Sequence, residues 1–270
     1  MKCLASRSLI LLAVLVFVPG LGACGDDAGR DAAVADSAMV DSQVDAALDG
    51  GTDAARDSEA DAAEDAGASL GFGHIAGPCA MITGEVTSPS PSYFLNRLDF
   101  ADDPFDDPED LPLLTAGGRE ILAEGTAGGS SGVSEAFAYE VLARCEGASL
   151  LKTETEIVYT GTGKITDMLV EIDGMKVGVS VTRAFVFPAT DPFTVAIAAE
   201  RLTDKLSDVL LSSAQVAAED AWVKQILVIM AYGEMHAESL MTAWGTLDAA
   251  VTADTIVYVV ITDGMDEPVY

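Results

Sequence analysis

Residues 165–183 read ITDMLVEIDGMKVGVSVTR, and this stretch decides the fold. Two alternating apolar runs flank Asp173-Gly174. Asp-Gly between such runs is the strongest short-range hairpin signal, because both central residues of the favoured turn need positive φ. Asp167 stands near the start of the first run and Arg183 at the end of the second. Two registers are open. A two-residue turn sets Glu171 against Lys176, a favourable cross-strand pair, and Asp167 opposite Ser180. It gathers Met168, Val170, Ile172, Val177, Val179 and Val181 on one apolar face. A three-residue turn or a bulge slips the pairing by one, which turns a strand's faces over, and brings Val181 and Arg183 beside Asp167. The apolar face favours the first register.

The flanking segments supply the rest of a domain. Ser134 is a good N-cap, Glu135 suits a first turn, and Phe137, Ala138, Val141, Leu142 and Cys145 form a helical stripe that Gly147 ends. Residues 150–159 read as a strand. Beyond the hairpin, Pro188 and Pro192 mark a loop, and Ala198, Leu202, Leu206 and Val209 lie on the stripe of an amphipathic helix. Residues 222–231 are almost continuously apolar, as in a strand buried on both faces. A helix around Leu240 and Trp244 and a last buried strand over 255–262 complete the pattern. The expected architecture is an α/β mixed-sheet sandwich of αβββαβαβ order, occupying residues 133–270, with a right-handed crossover between its final parallel strands.

The part before this core is less regular. Residues 70–132 are rich in Gly and Pro, with candidate short strands at 93–100 and 120–123. Residues 99–110, DFADDPFDDPED, read as a solvated acidic loop; they lack the glycine turn of an EF-hand. Residues 25–69 are almost all Ala, Asp, Gly, Ser and Val, with an aspartate at every fourth position from Asp41 to Asp65. A helix would stack those like charges on one face, so the reading is a disordered acidic tether, extended by its own repulsion. An array of calcium sites fits less well, because Ala-rich triplets separate the aspartates.

Residues 1–23 form a secretory signal: Lys2 and Arg7, then an apolar run over 9–18, then small residues. The run is shorter than the about 20 residues that span a bilayer. Leu21-Gly22-Ala23-Cys24 resembles the bacterial lipobox, which implies cleavage before Cys24 and acylation of its thiol and new amino group. Anchoring by two or more acyl chains is stable. The expected location is therefore the bacterial cell envelope, membrane-anchored on the periplasmic or outer surface, with residues 24–69 as lipidated cysteine and tether. Export leaves Cys79 and Cys145 in an oxidising compartment, where a disulfide between them is expected. Neither lies in a CxxC, and His74 and His236 are isolated, which argues against a zinc site.

Charge narrows the partners. The chain has 44 acidic and 14 basic residues, a net of −30, of which −21 falls on residues 70–270. Nucleic-acid binding draws on basic side chains that displace counterions from phosphates, so the charge argues against DNA or RNA.

The predicted element order, with Asp167 opening one strand and a cation closing the next, resembles the PD-(D/E)XK superfamily, the restriction-endonuclease-like fold, over residues 134–262. The resemblance implies that Asp167 is the first metal-binding aspartate. It puts Val181 at the second acid and Arg183 at the lysine. In that family the acids hold Mg²⁺ for in-line phosphodiester hydrolysis. Valine offers the metal no oxygen, and arginine remains protonated and is no base. A migrated acid would have to complete the site; Glu154 and Glu156 on the preceding strand, or Glu135 and Glu140 on the first helix, are the candidates. The expected function is thus a binding or structural role for a nuclease-like domain that no longer cleaves, with an envelope protein or component as partner and no cofactor. The alternative is a Mg²⁺-dependent nuclease or phosphodiesterase that uses Asp167 and a migrated Glu.

Overall fold

A computed structural model describes residues 72–126 and 131–270. The signal segment, Cys24 and the Asp-rich tether fall outside the described residues. The strands are β1 (His74–Ile75), β2 (Ser92–Asp99), β3 (Ser149–Thr153), β4 (Met168–Ile172), β5 (Met175–Ala184), β6 (Lys224–Tyr232) and β7 (Ile256–Asp263). The helices are α1 (Ala116–Glu124), α2 (Gly132–Glu146), α3 (Val195–Gln215), α4 (Glu234–Trp244) and the single turn α5 (Ala249–Thr252). The seven strands form one mixed sheet in the order β1-β2-β7-β6-β5-β4-β3. Strands β2, β7, β6 and β5 run parallel to one another, and antiparallel strands flank them on both sides.

Two apolar layers hold this sheet between helices. Ile121 of α1 and Phe137, Val141 and Leu142 of α2 pack on one face, with Val179, Val228 and Tyr258. Leu202 and Leu206 of α3 and Leu240 of α4 pack on the other, with Leu227, Ile229 and Val259. Strand β6 therefore buries side chains on both faces, which is why its sequence is apolar without alternation.

The hairpin adopts the two-residue turn. Glu171 pairs with Lys176 and Ile172 with Met175, and Asp173 and Gly174 take φ of 52° and 74°, the pair of positive values that this turn demands. Met168, Val170, Ile172, Val177 and Val179 all face α2. Cys79 and Cys145 are joined as a disulfide across 66 positions of sequence.

Several sequence expectations need correction. Residues 120–123 belong to helix α1, whose Thr115 cap accepts from the Gly118 N–H. A Cβ on Gly117 would lie 2.5 Å from the Tyr139 hydroxyl, and one on Gly118 2.2 Å from Glu140 Oε1. The paired glycines thus let α1 approach α2 closely, and this packing overrides the strand propensity of Ile121 and Leu122. Helix α2 starts two residues before Ser134, which lies inside it and donates to the Ser131 carbonyl. Strand β3 stops at Thr153. Glu154–Glu156 is a 3₁₀ turn, fixed by a capping box between Thr153 and Glu156. His236, isolated in the sequence, is buried against Phe193 and Tyr232.

Candidate functional site

Asp167 lies immediately before β4, and its own backbone N–H donates to the Val179 carbonyl at 3.1 Å. Its Oδ2 accepts the Val181 N–H at 2.6 Å. The side chain thus continues the ladder one step past the end of the strand, satisfying a β5 donor that would otherwise lack a partner.

The surroundings of Asp167 are unfavourable to its charge. Burial raises its pKa from 3.8 to about 7, Glu135 and Glu154 reinforce the rise, and the Val181 N–H and Lys205 oppose it. Glu135, buried on the first turn of α2, is raised by the same desolvation and by Glu154, against a hydrogen bond from Ser131 and the charge of Arg183. Three of the candidate metal ligands, Asp167, Glu135 and Glu154, are therefore brought within electrostatic reach of one another.

Their oxygens do not converge within 4.8 Å. Among the described residues, a three-carboxylate group that tight occurs at Asp106, Asp107 and Asp110 in the acidic loop. There Asp110 is buried and accepts the backbone N–H groups of Asp106 and Asp107. Glu156 Oε2 accepts the Thr153 N–H at 3.0 Å, which closes the capping box of the 3₁₀ turn. Glu140 is fully buried and binds the Thr115 N–H, the Thr115 hydroxyl and Arg144. Its role is to fix α1 to α2.

Arg183 points to the end of the chain. Its Nη1 donates to the Tyr270 oxygen at 2.9 Å and more weakly to the Val269 carbonyl at 3.5 Å. The two-residue turn dictates this, because it places Arg183 on the strand face opposite to Asp167.

A hollow of about 210 Å³ opens beside Asp167, lined also by Lys164, Ile165, Ser180, Lys205 and Asp208. A larger one of about 400 Å³ lies beyond it, between Thr182 of β5 and Ile197, Glu200, Arg201 and Asp204 of α3; Lys205 borders both. Residues 160–164 are tied to the end of α3, with the Thr160 N–H on the Gln215 carbonyl at 2.8 Å and Gln215 Nε2 on the Lys164 carbonyl. Lys164 is paired with Asp208 at 2.8 Å. Sequence reading did not find Lys164, Lys205 or Asp208. Lys205 and Asp208 look like any solvated charges of an amphipathic helix, Lys164 lies in the loop before β4, and no local signal says which of them borders a cleft.

The residues do not fit the paired-acid Mg²⁺ site that the nuclease resemblance implies. Val181 lacks a ligand atom, and one Asp167 oxygen is already committed to the Val181 N–H.

No family model matches the chain, and no solved structure matches it. Over 153 residues the chain is 39% identical to the AAC-rich mRNA clone AAC4 protein of Dictyostelium discoideum. The match takes in 54% of this chain and 22% of that protein, so the chain spans under a quarter of that relative's length. The relative's name states no activity. Among the described residues, no helix is long and apolar enough to cross a membrane.

Proposed function

We propose that the chain is a bacterial envelope lipoprotein, anchored through Cys24, whose restriction-endonuclease-like domain acts by binding rather than by cleavage. The single observation that carries this reading is the Asp167–Val181 contact. The one aspartate that would serve a nuclease is spent on the backbone N–H of the residue standing where the second acid belongs. The domain's net charge of −21 supports it, since a polyanionic substrate would be repelled. The lipobox motif and the acidic tether support display at a distance from the membrane, toward an envelope protein or component.

A second reading, a metal-dependent nuclease or phosphodiesterase, is favoured by one observation. Burial raises the pKa of both Asp167 and Glu135, and the charge of Glu135 raises that of Asp167 further, as in carboxylates grouped to share a cation. Purified protein incubated with Mg²⁺ or Mn²⁺ and with DNA or RNA distinguishes the two. The binding reading expects no turnover; turnover that Asp167→Ala abolishes would overturn it. Anchoring is tested separately by metabolic palmitate labelling, which Cys24→Ser should eliminate.

A further inference from the structure

The parallel strands β5, β6 and β7 end side by side, because Ala184 is paired with Ala231 and Tyr232 with Thr262. After β6 the chain turns at Gly233 into α4, on the α3 face of the sheet. After β7 it turns at Gly264 toward Val269, which packs in the α2 layer on the opposite face. Both glycines take positive φ, 79° and 78°. Where adjacent parallel strands send the chain to opposite faces, a crevice opens outside their carboxyl ends, and α/β proteins bind ligands there. Here that crevice has about 200 Å³ and is lined by Tyr232, Gly233, Thr262, Asp263, Gly264 and Asp266.

Its walls are acidic. Asp266 is buried with the Thr262 hydroxyl on its carboxylate, and desolvation together with Glu267 and Asp263 raises its pKa. Arg97 bridges Asp263 to Glu234, the first residue of α4. Among the described residues, neither Asp266 nor Glu267 has a cation paired to it. The rim is apolar and bare: Phe187 is 90% exposed, Met235 76% and Met265 41%. Each follows the end of a different one of the three strands. The loop that carries Phe187 is pinned on both sides of Met235, by Phe185 edge-on to Tyr232 at 5.5 Å and by Phe193 stacked on His236 at 4.9 Å.

We infer that this end of the sheet binds a segment of a partner protein in which a lysine or arginine is flanked by apolar side chains. The cation enters between the Gly233 and Gly264 turns, and the apolar neighbours cover Phe187 and Met235. Charge complementarity selects the basic segment, since this crevice carries surplus carboxylates on a domain of net charge −21. A purely apolar segment would desolvate those acids without a partner, and a purely basic one would leave the rim side chains in water.

The inference rests on the binding reading above, and the two are tested by different readouts, turnover there and association here. The full chain is titrated by calorimetry with a capped peptide of alternating leucine and lysine, with the same peptide carrying glutamine for lysine, and with oligolysine. Saturable one-to-one binding of the first peptide is expected, at least tenfold tighter than either control. The double variant Phe187→Ser, Met235→Ser should weaken it at least tenfold; both side chains are largely in solvent, so the fold is kept. Unsaturable binding overturns the inference. So does equal affinity of variant and wild type, which would place the peptide elsewhere, as on the aspartates of residues 25–69.

Discussion

The Val181 backbone N–H donates to Asp167 Oδ2 at 2.6 Å, and this contact joins the first residue beyond one strand to the interior of the next. An aspartate in this position extends the β4–β5 ladder by a hydrogen bond, and it does so in a place that disfavours its own charge.

The first prediction follows from that conflict. In the folded chain the Asp167 pKa lies at about 7, above its ordinary 3.8. Between those values the folded state keeps a proton that the unfolded state has released, so stability falls as pH rises through the window. Asparagine still accepts from Val181 and carries no charge. Asp167→Asn should therefore stabilise the protein by about 1–2 kcal/mol at pH 7.5, allowing for the residue's partial exposure, and by little at pH 4. Urea unfolding at the two pH values measures this. An asparagine variant that is less stable at pH 7.5 would show that the charge is compensated.

Asp220 makes the opposite case. It is buried and bound by Lys152 at 2.7 Å and by the Val158 N–H at 2.8 Å. Burial works against its charge, but these partners outweigh it and hold its pKa below 3.8. Its stabilising contribution is thus present above that value and lost as pH falls below it. Asp220→Ala leaves Lys152 and a backbone donor without their acceptor and should cost about 3 kcal/mol near neutrality. The deficit should shrink under acid, as chemical unfolding at pH 3 and pH 7 would reveal.

The Cys79–Cys145 disulfide closes a loop of 66 positions. By loop-closure entropy, its loss should lower stability by about 4 kcal/mol. Thermal unfolding with and without reductant, and of Cys79→Ser with Cys145→Ser, should agree. Mass mapping that finds two free thiols in oxidised native protein would remove the premise.

Gly178 is needed for close approach on β5. A Cβ there would lie 2.8 Å from the indole carbons of Trp222. The indole is itself held by a 3.1 Å hydrogen bond from Nε1 to Ser213 Oγ. Gly178→Ala should cost about 2 kcal/mol through overpacking, and pairing it with Trp222→Leu should recover part of the loss. Equal stability of Gly178→Ala and wild type would mean that the indole moves aside freely.

Periodicity made most of the core legible. The Asp-Gly turn, the continuous apolar run of β6 and the amphipathic stripe of α3 are local signals, and each appears where its residues predict. The pairing of Glu171 with Lys176 could be chosen because one register alone gathers the apolar side chains on one face. Strand β3 is shorter than its sequence suggests because its capping box, Thr153 with Glu156, resembles a continuing run of Thr and Glu. Helix α1 has no local signature because its glycines are poor helix formers in isolation, and only the approach of α2 explains them.

The sequence by itself determined the order of the elements beyond Gly132, the hairpin register and the charge, since these depend on neighbours in the chain. Tertiary structure decided which charges meet. It set Glu135 and Glu154 near Asp167, drew Arg183 to the Tyr270 oxygen, and opened a crevice between Gly233 and Gly264. Those relations join residues tens of positions apart, and the physical reason they escape the sequence is that solvation and Coulomb repulsion act through space.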